Sequence, residues 1–365
     1  MAEQFDISVV ITTYNRCDLL SRALDSVLGQ EAGAARFEVI VVDNNSNDDT
    51  RRTVESLIMS SNFPVKYIFE GRQGISQGRN AGIRNASAPV IAFTDDDVRV
   101  GPGWVASIKR AFDEHPEADF VGGKILPRWK VAPPRWLTRN HWWPLALLDY
   151  GDEPFYVSAD NPICLPTANV SFRREVFDRV GLFSSAFSGR EDHELLVRLW
   201  RAGRKGLYMP NIVVTAEVQD DRLRKQYHHR WNLTTGKFNS MMRLDDTMGP
   251  HGRLLEERAD TVMLFGTPAS LYRELLRASV RWVSATAQLR ESLALQHENR
   301  IWYLIGYIGE RYRDFGARKN QSSLVEISSF VKTLLSKKFM PDMPPERSVV
   351  GAAKKGENWG NESPE

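Results

Sequence analysis

Several features that are common in proteins are scarce in this sequence, and each scarcity excludes a class. Only two cysteines, Cys17 and Cys164, occur in 365 residues, so neither a disulfide framework nor a cysteine-rich metal site is expected. No apolar run reaches the roughly 18 residues that a membrane-spanning helix needs. Residues 1–6 lack the basic and apolar parts of a secretory signal. Together these absences predict a cytoplasmic protein.

An excess of charge of either sign is also absent. Lys and Arg number 48 against 46 Asp and Glu, so the net charge of +2 gives no indication of a nucleic-acid partner. The share of hydrophobic residues, 42%, is ordinary for a globular protein. The length allows one large domain with an extension, or two domains.

The first part of the chain alternates between strand and helix patterns. Residues 7–13 are mostly β-branched, residues 18–28 place apolar side chains on one face with Asp18 as the expected cap, and residues 37–42 form a second strand. A strand, a helix and a strand in about 35 residues form a βαβ unit with parallel strands. We therefore predict an α/β fold with a mostly parallel sheet flanked by helices. Further strands are predicted at residues 64–69, 90–95, 120–123, 167–172 and 212–214.

Polar residues end several of these strands. Ligands of parallel sheets bind beyond the carboxyl ends of the strands, where Thr13, Asp43 and Asp95 stand. Asp95 is followed by Asp96 and Asp97, and three adjacent carboxylates repel one another unless a cation lies among them. A solvated acidic turn is the alternative. The apolar strand before the acids favours instead a site for Mg²⁺ or Mn²⁺, ions that bridge carboxylates to substrate phosphates.

A second acidic pair, Glu191 and Asp192, is predicted at the start of a helix that ends before Gly203. Ser188 and Glu191 match a capping box, which would hold this helix start near the surface. Capping explains one acid of the pair and leaves the other for a chemical role.

Two later segments each leave two interpretations open. Residues 127–167 are rich in Pro and Trp, and these aromatic side chains either stack on a sugar or anchor a loop. Residues 270–290 predict a basic amphipathic helix that either lies on an anionic membrane or packs on the rest of the protein. Its arginines are Arg273, Arg277, Arg281 and Arg290, and its apolar residues are Leu271, Leu275, Leu276, Val280, Trp282 and Val283. Residues 344–365 are polar and predicted to be disordered.

Six motifs resemble those of glycosyltransferase family 2 and occur in that family's order. They are residues 8–16 (SVVITTYNR), 41–46 (VVDNNS), 78–82 (GRNAG), 93–97 (FTDDD), 167–169 (TAN) and 189–195 (GREDHEL) followed by Arg198. The resemblance implies a GT-A, Rossmann-like domain over residues 1–240, then a helical region over residues 241–343. It also implies an inverting transfer of a sugar from a nucleotide sugar, expected to be a UDP-sugar, to a hydroxyl of a glycan or lipid-linked acceptor. A lipid-linked acceptor would suit a peripheral position on the inner face of the cell membrane.

The resemblance also implies roles for individual residues. The donor site would comprise Thr13, Tyr14, Arg16, Asp43, Arg79, Asp95 and Asp96. Asp97, with Asp95, would bind Mn²⁺ or Mg²⁺ on the diphosphate, and Asp96 could share this role. Asp192 would be the general base, with Glu191 as the second candidate.

One departure from the family and two alternative functions remain open. Many members carry a His after the last strand, whereas residues 214–218 read VTAEV here, which leaves Glu217, His228 and His229 as candidates for that contact. A nucleotidyltransferase would carry a Gly-rich phosphate loop after the first strand, and residues 14–16 are not such a loop. A non-catalytic binding module would have no need of the acids.

Overall fold

The computed structural model describes residues 5–187, 189–244 and 262–317. The strands are β1 (Ile7–Thr13), β2 (Phe37–Asp43), β3 (Val65–Phe69), β4 (Val90–Asp95), β5 (Val98–Val100), β6 (Phe120–Trp129), β7 (Phe155–Val157), β8 (Val170–Arg173), β9 (Gly206–Val218), β10 (Met263–Leu264) and β11 (Thr267–Pro268). The helices are α1 (Cys17–Leu28), α2 (Thr50–Ser60), α3 (Ile75–Asn85), α4 (Trp104–Glu114), α5 (Glu175–Val180), α6 (Glu191–Arg201), α7 (Lys225–Met241), α8 (Ala269–Ala287) and α9 (Glu291–Ala317).

A nine-stranded sheet forms the centre of the molecule, in the order β3-β2-β1-β4-β8-β6-β9-β5, with β7 paired to β9. Strands β1 to β4, β6 and β9 run in one direction, and β5, β7 and β8 run in the other. The predicted mostly parallel α/β sheet is therefore confirmed. Because β1 lies between β2 and β4, the order of the strands reverses beside β1, and such a reversal opens a crevice at the carboxyl ends of the strands.

Helix α3 lies directly against β1 because two glycines remove the side chains between them. A Cβ on Gly78 would stand 2.3 Å from Thr12 Cγ2, and one on Gly82 would stand 2.3 Å from Val10 Cγ1. The glycines of the GRNAG motif thus serve a close approach of helix to strand. This approach fixes the position of Arg79, which follows Gly78.

The C-terminal helices pack on α7 through a second close approach. A Cβ on Gly236 of α7 would lie 2.0 Å from the carbonyl oxygen of Tyr303, and one on Gly306 of α9 would lie 2.1 Å from that of Leu233. Helices α7 and α9 therefore touch backbone to backbone. Helix α8 packs on α9 through a small apolar cluster that includes Leu271 and Leu304.

The predicted helix of residues 270–290 is confirmed as α8, but its apolar residues do not share one face. Leu271 is buried with Ala278 and Ala285, while Leu276, Val280 and Val283 are exposed. Within the described ranges, no helix is long and apolar enough to cross a membrane. The predicted disordered tail lies outside the described residues.

Four local predictions need correction. Asp18 does not cap α1, because Arg16 occupies the cap position and Asp18 already lies in the first turn of the helix; the Cys17 amide donates to Asp48 Oδ2 at 3.0 Å. The strands predicted at residues 120–123 and 212–214 are parts of the longer β6 and β9, which pair with each other from Phe120 to Gly122 and again from Lys124 to Trp129. The strand predicted to begin at Thr167 begins at Val170, after a 3₁₀ turn. The predicted capping box is a fourth correction, because Arg190 occupies the cap position of α6 without a side-chain cap hydrogen bond and Glu191 is the first residue of the helix. Ser188 itself lies outside the described residues.

Candidate active site

The ends of β1 and β4 are joined through the side chain of Asp96. Thr13 Oγ1 donates to Asp96 Oδ2 at 2.8 Å, and Arg16 Nη1 donates to Asp96 Oδ1 at 3.2 Å. Asp96 is buried, and this burial raises the pKa of its carboxyl group despite the neighbouring guanidinium. Since both of its oxygens are bonded, Asp96 serves to hold the turn after β1 against β4.

Asp97 lies beside two arginines, yet its surroundings disfavour the ionised form of its carboxyl group. Its Oδ2 atom is 3.5 Å from Arg16 Nη1 and 3.8 Å from Arg222 Nη2. Burial, followed by the charges of Asp95 and Asp96, raises the pKa of Asp97 to about 6. The two arginines therefore offset only part of the repulsion in this cluster, and a bound cation would relieve the rest.

The acids fit a divalent cation that is held partly by its substrate. The described residues contain no group of three or more His, Cys, Asp or Glu side chains that could hold a metal ion. Mg²⁺, however, is commonly bound by only one or two carboxylates together with substrate phosphates and water. Asp95 and Asp97 match that mode, whereas the oxygens of Asp96 are already bonded.

The side chains of the three candidates for a further contact bind other residues, although the Glu217 amide donates to the Asp97 carbonyl oxygen at 3.0 Å. Glu217 is 2.6 Å from Lys130 Nζ and 3.5 Å from Arg22 Nη2. His228 is buried among aromatic rings, with that of Trp136 centred 5.3 Å away. His229 Nε2 is 3.2 Å from Glu298 of α9. Within the described residues, none of these three side chains forms a hydrogen bond or ion pair with the side chain of Asp95 or Asp97.

Asp43 is fixed at the end of β2 by two partners. Its Oδ1 accepts a hydrogen bond from the Ser46 amide at 2.8 Å, and its Oδ2 accepts one from the Tyr67 hydroxyl at 2.7 Å. The next residue, Asn44, is also buried and accepts from the Gly74 amide at 2.8 Å, which shapes the loop before α3. Asn44 belongs to the motif of residues 41–46, so that motif could have predicted its role. Nothing in the sequence pattern pointed to Tyr67.

Arg79 is buried between the two acidic groups of the site. Its Nη2 donates to Asp95 Oδ1 at 3.3 Å, and its Nη1 donates to Glu191 Oε1. The guanidinium also lies 5.7 Å from the centre of the Phe183 ring. This single side chain therefore connects the end of β4 with the start of α6. Tyr14, by contrast, is exposed at the rim of the site.

Glu191 and Asp192 differ in how fully their carboxylates are occupied. Glu191 is buried, with Oε1 bonded to Arg79 and Oε2 accepting from the Gly189 amide at 2.6 Å. Asp192 is half-buried, and its Oδ1 accepts from the His193 amide at 2.7 Å. Burial lowers the pKa of His193 to about 4, so that imidazole is neutral at physiological pH. Asp192 itself stands in the first turn of α6.

The Trp-rich segment reaches this side of the site. Trp143 meets Trp231 of α7 edge to face, with ring centres 6.3 Å apart. Arg190, the residue before the acidic pair, lies 3.7 Å from the centre of the Trp231 ring. Trp136 instead packs against His141 and His228, so it anchors the segment.

Comparison with known proteins concerns the chain as a whole. The family model described as "Glycosyl transferase family 2" matches residues 8–181. The chain is 31% identical over 328 residues to validoxylamine A glucosyltransferase of Streptomyces hygroscopicus subsp. jinggangensis, which covers 81% of this chain and 75% of that protein. It is 24% identical over 260 residues to the succinoglycan biosynthesis protein ExoM of Rhizobium meliloti, over 70% of this chain and 77% of that one.

Solved structures agree on the fold. The mannosyltransferase PcManGT of Pyrobaculum calidifontis, solved with GDP-Man and Mn²⁺, superposes with a TM-score of 0.51 at 16% identity, over 93% of this chain and 83% of that one. At this identity the likeness concerns the GT-A fold alone. The sequence relatives do not support the nucleotidyltransferase alternative. They suggest glycosyl transfer in glycan assembly, and this chain belongs to glycosyltransferase family 2.

Proposed function

We propose that this enzyme is an inverting glycosyltransferase that depends on a divalent cation and moves a sugar from a UDP-sugar to a hydroxyl of a glycan or lipid-linked acceptor. The observation that carries the proposal is the meeting of two acidic groups at one edge of the sheet. Asp95, at the end of β4, and Glu191, which precedes Asp192, bind the same guanidinium of Arg79.

The donor nucleotide would lie across the carboxyl ends of β1, β2 and β4. Thr13, Asp43 and Asp95 end these three strands, and register places Thr13 opposite Asp43 and Thr12 opposite Asp95. Asp43 is fixed by the Ser46 amide and the Tyr67 hydroxyl, so its carboxylate is positioned before the donor arrives. Such preorganisation reduces the entropy lost on binding.

Asp95 and Asp97 would hold Mn²⁺ or Mg²⁺ against the donor diphosphate, where the cation stabilises the negative charge of the leaving group. Arg16 contacts Asp96 and Asp97 from the rim, and Arg222 lies near Asp97 from the segment after β9. These cations would add positive potential around the diphosphate.

Asp192 would be the general base. An acceptor hydroxyl is a weak nucleophile until a carboxylate takes its proton. The bond between the acceptor oxygen and the anomeric carbon forms as the bond from that carbon to the diphosphate oxygen breaks, and the proton moves to Asp192. A single displacement of this kind inverts the anomeric configuration. Two flanking acids close together, as in hydrolases, are not required.

Donor binding and slow transfer to water test this proposal without knowledge of the acceptor. We expect UDP with Mn²⁺ to raise the melting temperature more than GDP does, and UDP-sugars to be hydrolysed slowly; a preference for GDP would overturn the assignment of the donor nucleotide. Asp192→Asn should lower kcat by about 10²- to 10⁴-fold and leave nucleotide affinity unchanged. Diphosphate release from a nucleoside triphosphate would indicate a nucleotidyltransferase, and nucleotide binding without any turnover would indicate a binding module. Retained anomeric configuration in the product would overturn the inverting mechanism.

We also propose a cytoplasmic enzyme that associates with anionic membrane surfaces through α8. Leu276, Val280 and Val283 follow helical spacing and are 68%, 62% and 59% exposed, so they do not serve to pack α8 on the described part of the protein. Arg277 and Arg281 follow the first two of these residues along the helix. An apolar stripe beside cations is the pattern of a helix that lies in a lipid interface.

Vesicle flotation at low salt tests this location. The triple change Leu276→Ser, Val280→Ser and Val283→Ser should abolish recovery with anionic vesicles, and high salt should weaken recovery of the unaltered protein. Met59→Ser, which alters a 91% exposed residue on α2, is the matched control and should have no effect. Equal recovery with neutral and anionic vesicles would contradict the role given to the arginines.

A further inference from the structure

The two carboxylates that Arg79 binds belong to different halves of the proposed reaction. Asp95 ends β4 on the donor side, and Glu191 begins α6 on the acceptor side. Arg79 is 6% exposed and Glu191 is 3% exposed, so this part of the contact is shielded from water. Asp95 is more accessible, since 34% of its side chain is exposed. The bridge therefore has a buried end at α6 and an accessible end in the donor site.

Arginine is suited to this bridge because its planar guanidinium presents several donors in a fixed geometry. The close packing of α3 on β1 at Gly78 fixes the backbone beside Arg79, and the Phe183 ring lies beside its guanidinium. A shift of the Asp95 carboxylate toward a donor or cation would therefore act on a side chain with little freedom to move independently. The shift would reach Glu191 through the same guanidinium.

Glu191 holds the loop that precedes the proposed base. Its Oε2 accepts from the Gly189 amide, and Gly189 has a φ of +79°, a conformation that favours glycine. With Oε1 on Arg79 and Oε2 on Gly189, Glu191 fixes the direction in which α6 begins. Asp192 is the next residue, so the same contacts fix its position.

We propose that Arg79 and Glu191 are positioning residues that connect donor binding at Asp95 with the placement of Asp192. The inference rests on the proposed function and deepens it. Glu191 then acts as the anchor of α6 and not as the base. Occupation of the donor site by nucleotide and cation then restrains the start of α6 through the guanidinium of Arg79.

Hydrogen exchange of residues 189–195 measures this connection directly. It is followed with and without Mn²⁺ together with whichever of UDP or GDP the unaltered enzyme binds more tightly. We expect nucleotide and Mn²⁺ to slow exchange there in the unaltered enzyme. This protection should disappear in Arg79→Lys and in Glu191→Gln. A lysine keeps the charge but presents one ammonium in place of the guanidinium fork, and a glutamine keeps the shape but loses the charge.

Donor hydrolysis supplies a second readout that a purely structural role would not move. Glu191→Gln should lower kcat by about tenfold with an unchanged KM for the donor, since misplacing a reacting group by about 1 Å costs up to about 10²-fold. Glu194→Gln is the matched control on α6. It weakens a carboxylate pair with Arg198, in which Nε is 2.7 Å from Oε1, without touching Arg79. This control should keep both the protection and kcat.

The outcomes separate the inference from the function on which it rests. If the unaltered enzyme hydrolyses a nucleotide sugar but Glu191→Gln keeps both the protection and kcat, the connection through Arg79 is wrong and the proposed function stands. If Glu191→Gln lowers kcat as much as Asp192→Asn does, Glu191 is the base and the inference is overturned. If the unaltered enzyme neither binds nor hydrolyses any nucleotide sugar, the proposed function fails first.

Discussion

Replacing Asp97 with asparagine should make the metal-free enzyme more stable while removing its response to a divalent cation. Burial and the neighbouring acids raise the pKa of Asp97 from 3.8 to about 6, so the folded state disfavours the ionised form. A difference of about two pKa units corresponds to roughly 3 kcal/mol at neutral pH. An asparagine side chain has nearly the same shape as an aspartate and carries no charge. We therefore expect Asp97→Asn to raise the free energy of unfolding by roughly 1–3 kcal/mol. The upper end of this range assumes that the surroundings of Asp97 do not relax around the ionised carboxylate.

The stabilisation caused by Asp97→Asn should decrease as the pH is lowered. Because the folded pKa lies above the unfolded one, the stability that the protonated form provides is complete below about pH 4 and is lost as the pH rises through about 6. The stabilisation from Asp97→Asn should accordingly fall to about half between pH 7.5 and pH 5. Mn²⁺ should raise the melting temperature of the unaltered enzyme at pH 7.5, less so at pH 5, and hardly at all in the variant.

Chemical unfolding at both pH values, with thermal melts in the presence and absence of Mn²⁺, measures these effects. Asp113→Asn is the control, because Asp113 is an exposed residue of α4 whose ion pair with Lys109 is worth little. A variant at position 97 that is less stable than the unaltered enzyme at pH 7.5 would refute the reasoning. Such a result would mean that Arg16 and Arg222 stabilise the ionised carboxylate more than burial destabilises it.

Three further changes test the donor site and the fold. Asp43→Ala should weaken nucleotide binding by about 1–3 kcal/mol in calorimetry, since it leaves polar groups of the donor without a partner, and an unchanged affinity for both UDP and GDP would remove Asp43 from the site. Gly82→Ala should lower the free energy of unfolding by about 1–3 kcal/mol in urea, because its Cβ would stand 2.3 Å from Val10 Cγ1; a neutral effect would mean that α3 can move away from β1. Glu38→Leu should lower the free energy of unfolding in urea by about 2–3 kcal/mol, since the buried Glu38 accepts hydrogen bonds from Ser8 Oγ at 2.7 Å and Ser87 Oγ at 2.6 Å. A more stable variant would show that apolar packing can replace this network.

The sequence was sufficient to predict the strand ends and insufficient to predict their side-chain partners. Thr13, Asp43 and Asp95 could be assigned to one edge of the sheet because apolar runs identify buried strands, and parallel strands end on the same side. The contact between Arg79 and Glu191 joins residues 112 positions apart, and no local pattern encodes such a pairing. The full length of β9 was likewise not predicted, because Pro210 and Asn211 interrupt its apolar sequence, and the strand is held together by its pairing with β6.

The predicted positions of individual acids did not reveal their different surroundings either. Asp95, Asp96 and Asp97 are equivalent in the sequence, yet Asp96 has hydrogen-bond partners on both of its oxygens, whereas Arg16 and Arg222 both approach the same oxygen of Asp97, Oδ2. The difference arises from Thr13 and Arg16, which come from β1 and the turn after it. Chemical roles within a run of identical residues therefore depend on contacts with distant parts of the chain.

The glycine contact between α7 and α9 has a consequence for how the enzyme would face a surface. Gly236 faces the backbone of Tyr303, and Gly306 faces the backbone of Leu233, so sliding or tilting one helix against the other would force backbone atoms together. Helix α8 packs on α9, while α7 carries Trp231 beside Arg190 at the proposed acceptor side. If α8 rests on a bilayer, the opening near Asp192 is held at a set height and angle above the lipid headgroups. The reach of an acceptor from its lipid anchor would then be a geometric filter on which hydroxyl receives the sugar.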